Sequence, residues 1–87
     1  MLTLILYTTS GCHLCDQALA LLTPIIELNQ LQLRLVDIAD SDAMIERYGV
    51  RIPVIQLEGT QGELGWPFDE PQALAFLNHS LQELEDA

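Results

Sequence analysis

Eighty-seven residues with an apolar fraction of 49 % allow one domain and one core. Thirteen acids against three arginines and no lysine give a net charge of −10, which repels nucleic-acid phosphates and anionic lipid headgroups and excludes both as primary partners. Two cysteines three positions apart are too few and too close for a disulfide-stapled scaffold, because so short a loop restricts the unfolded chain far less than a long one does.

Leu2 to Tyr7 is an almost wholly apolar run, as expected of a strand buried on both faces, and far too short to cross a bilayer. Thr8-Thr9-Ser10-Gly11 supplies turn chemistry and a side-chain cap for the helix after it. From His13 to about Leu28, apolar residues at Leu14, Ala18, Leu21, Leu22, Ile25 and Leu28 keep helical spacing. Pro24 cannot donate to the carbonyl of Ala20, so either a kink there or a helix end near Thr23 is expected. Leu31, Leu33 and Leu35 alternate with Gln32 and Arg34, the pattern of a second strand with one partly exposed face.

Asp40-Ser41-Asp42 opens a short helix over Ala43 to Tyr48, ended by Gly49. Val50 to Leu57 reads as a strand with Pro53 near its opening, and residues 58–62 as a turn. Glu63 to Trp66 forms a short antiparallel return. Asp69, with Gln72 three residues on, caps a last helix striped by Leu74, Leu77 and Leu81, and residues 83–87 are expected to fray. The order β-α-β-α-β-β-α, with a right-handed first crossover, predicts a three-layer α/β/α sandwich around a mixed four-stranded sheet, one domain over 1–87.

The chemistry-bearing stretch is Ser10-Gly11-Cys12-His13-Leu14-Cys15-Asp16, at the junction of the first strand and helix. A helix N-terminus favours an anion, so Cys12 is expected to have a lowered pKa, and a protonated His13 would add to that. The acidic chain as a whole opposes both effects. Cys15, one turn into the helix, is expected to be shielded and to react only with Cys12. Zinc normally takes four ligands, and only His13 and His79 remain to supply them, so no metal site is expected. No leader is expected ahead of the first strand, and the expected compartment is the cytoplasm, where thiols stay reduced and such a pair is more often catalytic than structural.

Cys12-His13-Leu14-Cys15 after the first strand, together with Tyr48-Gly49-Val50-Arg51-Ile52-Pro53-Val54, resembles the thioredoxin superfamily. The short chain is most similar to small glutaredoxin-like proteins, over about Leu2 to Leu81. The resemblance implies a thioredoxin-like (glutaredoxin-type) fold, Cys12 as nucleophile, Cys15 as resolving thiol, and a redox disulfide between them. It also implies a cis Pro53 beside that disulfide, with the backbone of Ile52 pairing with a bound peptide or glutathione. Thr8 and Thr9 stand where many glutaredoxins carry lysine, His13 replaces the usual Pro or Gly, and Leu14 replaces an aromatic. Leu64-Gly65-Trp66-Pro67-Phe68-Asp69 lacks a clear two-glycine motif. These departures bear on glutathione rather than on fold or thiol chemistry.

Arg51 reads either as the partner of an acid or as a ligand for a substrate carboxylate, and Trp66 either as a groove wall beside Pro53 or as core. The expected function is a small thiol–disulfide oxidoreductase acting through Cys12 and Cys15, tuned by Gly11 and His13, with Arg51, Ile52, Pro53 and Trp66 on the substrate side. No resident cofactor is expected, and glutathione is a candidate co-substrate. The expected partners are a disulfide-containing protein or a small thiol, and a reductase that recycles the centre; the chain is expected to be a monomer. The competing reading is a non-catalytic thioredoxin-fold module that binds a partner or carries an iron–sulfur cluster through Cys12 and external thiols.

Overall fold

The structure, a computed structural model, describes residues 2–86. Strand β1 (Thr3–Thr8) leads into α1 (His13–Leu28), which returns to β2 (Gln32–Asp37). A 3₁₀ turn, Ile38–Asp40, precedes α2 (Asp42–Tyr48). Then come β3 (Val54–Leu57), β4 (Leu64–Gly65) and α3 (Glu70–Asp86). The sheet order is β2-β1-β3-β4. β1 pairs parallel with β2 (Thr8 opposite Asp37) and antiparallel with β3 (Tyr7 opposite Val54), and β3 pairs antiparallel with β4 (Val54 opposite Gly65).

Strand alternation divides the side chains between two faces. Leu4 and Leu6 of β1 with Ile55 and Leu57 of β3 pack against Ala18, Leu22 and Ile25 of α1 and Ala73 and Leu77 of α3. Tyr7 and Val54 point the other way and meet Ile38, Met44 and Tyr48. The expected three layers are thus present, with α1 and α3 on one face and α2 on the other. The seven-residue α2 is too short to cover its whole face. The remainder is polar, with Arg34 and Glu58 paired at 3.1 Å in the open, a contact worth about 0–1 kcal/mol.

Several boundaries differ from the sequence-based expectation. The helix α1 runs unbroken past Pro24, because the Ala20 carbonyl lies on an exposed side of the helix where losing one bond is tolerable. The third strand starts at Val54, not Val50, since Pro53 has no N–H to give the ladder and the pairing begins only after it. The Ile52–Pro53 bond is cis. Gly49 does cap α2, but in the right-handed region, at φ −52°. Glycine is needed there for space, because a Cβ would stand 2.5 Å from the Ile45 carbonyl oxygen. The last helix continues through Asp86, over most of the tail expected to fray; Ala87 lies outside the described residues. Asp69 and Gln72 form the expected reciprocal cap, at 2.8 and 2.9 Å.

Candidate active site

The turn between β1 and α1 holds Gly11 at φ +76°, in the left-handed region that glycine enters without strain. It delivers Cys12 to the N-cap of α1 with extended backbone angles. The cap itself is not Thr8, Thr9 or Ser10, as expected, but the Cys12 sulfur, which accepts the Cys15 N–H at 3.1 Å. The reason is geometric: the N-cap side chain must face the open amides of the first turn, and only residue 12 precedes His13. Cys12 and Cys15 are joined as a disulfide with Cα atoms 5.2 Å apart, within the usual span. Cys12 is half-buried, whereas Cys15, one turn on, is 4 % exposed and packs into the protein. His13 is exposed, and Leu14 between the cysteines is nearly half exposed.

Because Val54 pairs with Tyr7, the Ile52-Pro53 segment lies at the C-terminal end of β1, the end from which the chain passes into Cys12. Pro53 is buried and Ile52 half-buried. The Pro53 carbonyl accepts the Trp66 N–H at 2.9 Å, so Trp66 stands beside it at the same end. The Trp66–Pro67 bond is also cis. The indole is half-buried against the larger core and meets Phe68 edge-on at 5.1 Å between centroids. Gly11, Cys12, His13, Cys15, Ile52, Pro53 and Trp66 are therefore gathered at one end of the sheet. The apolar recess of about 90 Å³ between Leu2, Leu31, Leu74 and Leu81 lies at the other.

Arg51 meets an acid, and that acid is Glu63. Glu63 is only 11 % exposed; it takes Arg51 at 3.3 Å, Arg47 at 3.6 Å and the hydroxyl of Tyr48. Both guanidinium groups also stand over the Tyr48 ring, at 5.4 and 5.6 Å, and Tyr48 stacks on Tyr7 at 4.2 Å. Tyr7 donates to Gln56 at 2.6 Å. This network ties α2, the segment before Pro53 and the β3–β4 turn together. Its centre, Glu63, escapes a reading of the sequence; the only signal is an acid adjoining the apolar return strand, and its partners come from α2 and the segment after it.

Burial, and then the hydrogen bond to Glu63, push the Tyr48 phenol well above its ordinary value of about 10. A folded-state value above the unfolded one means that Tyr48 contributes stability fully below about pH 10 and loses it as pH rises beyond that. Urea unfolding followed from neutral to strongly alkaline pH is expected to show stability falling above about pH 10, with a shallower fall in Tyr48→Phe. Equal slopes for both proteins would contradict this.

Among the described residues, no group of three or more His, Cys, Asp or Glu side chains is placed to hold a metal ion, and no helix is long and apolar enough to cross a membrane. The family model described as Glutaredoxin-like domain (DUF836) matches residues 3–78. The X-ray structure of target protein XcR50 from X. campestris is 38 % identical, with a TM-score of 0.74 over 87 % of this chain and 96 % of that one. Protein Ne2328 from Nitrosomonas europaea is 25 % identical, with a TM-score of 0.74 over 86 % of this chain and 89 % of its own. Thioredoxin from Trypanosoma brucei brucei, at 17 % identity and a TM-score of 0.55 over all of this chain and 77 % of that one, shares the fold. No curated protein matches the chain.

Proposed function

The chain belongs to the glutaredoxin-like domain family, and from that footing we propose that it is a small cytoplasmic thiol–disulfide oxidoreductase working through Cys12 and Cys15. The observation that carries this reading is the sulfur of Cys12 seated on the first-turn amide of α1, with Cys15 buried one turn below it. In the reduced protein the same amide donates to a Cys12 thiolate, a charge-assisted bond of about twice the strength of a neutral one. The helix dipole adds about 0.3–1 kcal/mol in favour of the anion.

The exchange follows from which sulfur can be reached. Cys12 thiolate attacks one sulfur of a substrate disulfide; a new S–S bond forms, the old one breaks, and the departing sulfur leaves as a thiolate that takes a proton from solvent. Cys15, deprotonated, then attacks Cys12 Sγ, releasing the second substrate sulfur, which is protonated in turn. Two electrons and two protons have passed from the cysteine pair to the substrate. The pair is left as the Cys12–Cys15 disulfide, the state seen here. An external dithiol or pair of monothiols reverses these steps to recycle it.

Burial of Cys15 supports the division of labour, since a shielded thiol meets only the neighbouring sulfur. Reduced Cys15→Ser, mixed with bis(2-hydroxyethyl) disulfide, is expected to stop at the first step. Intact-mass analysis should show about one mercaptoethanol adduct per chain, on Cys12, where the wild type passes on to its internal disulfide. A variant that stays unmodified would sink the assignment.

A further inference from the structure

Which disulfide reaches Cys12 depends on the field around it, and the topology concentrates one sign of charge there. The C-terminal ends of β1 and β2, the N-terminal ends of α1, β3 and α3, and the entry to α2 all lie at the same end of the sheet. They bring Asp16, Asp37, Asp40, Asp42, Asp69 and Glu70 to the end that holds the disulfide. Most have a local reason to be there. Asp37 caps the 3₁₀ turn by accepting the Ala39 N–H at 2.9 Å, Asp69 caps α3, and Asp16, Asp42 and Glu70 sit in first helical turns, where the dipole favours an acid. Their summed field is the same whatever placed them.

Among the described residues, the arginines offset little of it. Arg34 pairs with Glu58, which follows β3 and bonds back to Thr3 at the far end of the sheet. Arg47 and Arg51 share Glu63, so together they leave one positive charge near six negative ones. Two exposed apolar side chains also stand at this end of the sheet. Leu14 is nearly half exposed and Val50, next to Arg51, fully so, and neither belongs to a core cluster.

We propose that the substrate disulfide of this centre is carried by a basic polypeptide, whose Lys and Arg side chains meet the acidic rim while its apolar atoms cover Leu14 and Val50. The inference rests on the oxidoreductase reading, and the covalent steps are those already balanced: Cys12 bonds one sulfur of the polypeptide and Cys15 releases it. Anionic disulfides, glutathione disulfide among them, are disfavoured by the same field.

The test uses the reduced full chain and two peptide disulfides that differ only in residues flanking the cystine, lysine in one and glutamate in the other. Each rate is divided by the rate of dithiothreitol with the same peptide, which removes intrinsic differences in reactivity; neutral bis(2-hydroxyethyl) disulfide is run alongside. The Lys-flanked peptide is expected to react roughly ten-fold faster or more at low salt, within the range of electrostatic steering. The advantage should shrink toward unity near about 1 M salt, where charges are screened within about 3 Å. Asp40→Asn with Asp42→Asn should lower the ratio and leave the neutral rate unchanged. A low-salt ratio at or below one, or a ratio that the double variant leaves untouched, overturns the inference while the neutral reaction keeps the oxidoreductase reading standing. Failure of all three disulfides to react overturns both.

Discussion

Cys12→Ser is expected to lose disulfide exchange by on the order of 10³-fold or more, because removing the nucleophile removes the step that starts the reaction. The variant is a clean one for a structural reason. Residue 12 is the N-cap of α1, and serine is among the best N-cap residues, so its hydroxyl takes over the Cys15 N–H that the sulfur now accepts. Fold and helix start should therefore survive while the chemistry does not. Stability is best compared with the reduced wild type, since the short Cys12–Cys15 loop contributes about 2 kcal/mol by chain entropy alone. Loss of exchange with an unchanged circular dichroism spectrum is the expected outcome. A variant that still turns over a neutral disulfide would show that Cys12 is not the attacking group.

The second large effect is on stability. Leu22→Ala is expected to cost about 2.7–5 kcal/mol. Leu22 has no exposed surface and packs from α1 onto Leu4, Leu6, Ile55 and Leu57 in the core that fixes the helix to the sheet. Alanine suits a helix at least as well as leucine, so the loss is one of packing and cavity, not of propensity. Against a total stability of about 5–15 kcal/mol for such a domain, this is a large share. Thermal unfolding should shift down by about 10–40 °C at roughly 4–8 °C per kcal/mol. Leu28→Ala on the same helix is the control: Leu28 is 84 % exposed, and its loss should stay within about 0.5 kcal/mol. If the two variants unfold together, α1 is not held by the face described.

Periodicity carried most of the fold because the two periods report burial directly. The stripe through Ala18, Leu22 and Ile25 and the alternation of Leu4 and Leu6 are the same residues that close the main core. The element order followed from the alternation of the two periods, and the redox pair from two cysteines at one strand–helix junction. Boundaries were less legible where local chemistry competes. Pro53 shortened a strand that apolar residues alone would have begun at Val50, and Cys12 took a capping role usually given to oxygen. Leu35 alternates like a buried residue yet lies half-exposed on β2, an edge strand of the sheet. The Glu63 network was illegible for a different reason. Arg47, Tyr48, Arg51 and Glu63 are brought together by the turn before Pro53 and by the β3–β4 return, and no spacing within the chain announces such a meeting.

At the centre of the proposed chemistry, α1 makes Cys12 a nucleophile and hides Cys15. The rate of iodoacetamide alkylation of the reduced wild type, followed against pH with the modified cysteine located by mass, tests this most directly. The expected result is modification of Cys12 alone, with a midpoint below the ordinary thiol value of about 8.5, where the helix N-terminus prevails over the acidic surroundings. A midpoint at or above about 8.5, or alkylation of Cys15 as fast as Cys12, would contradict it.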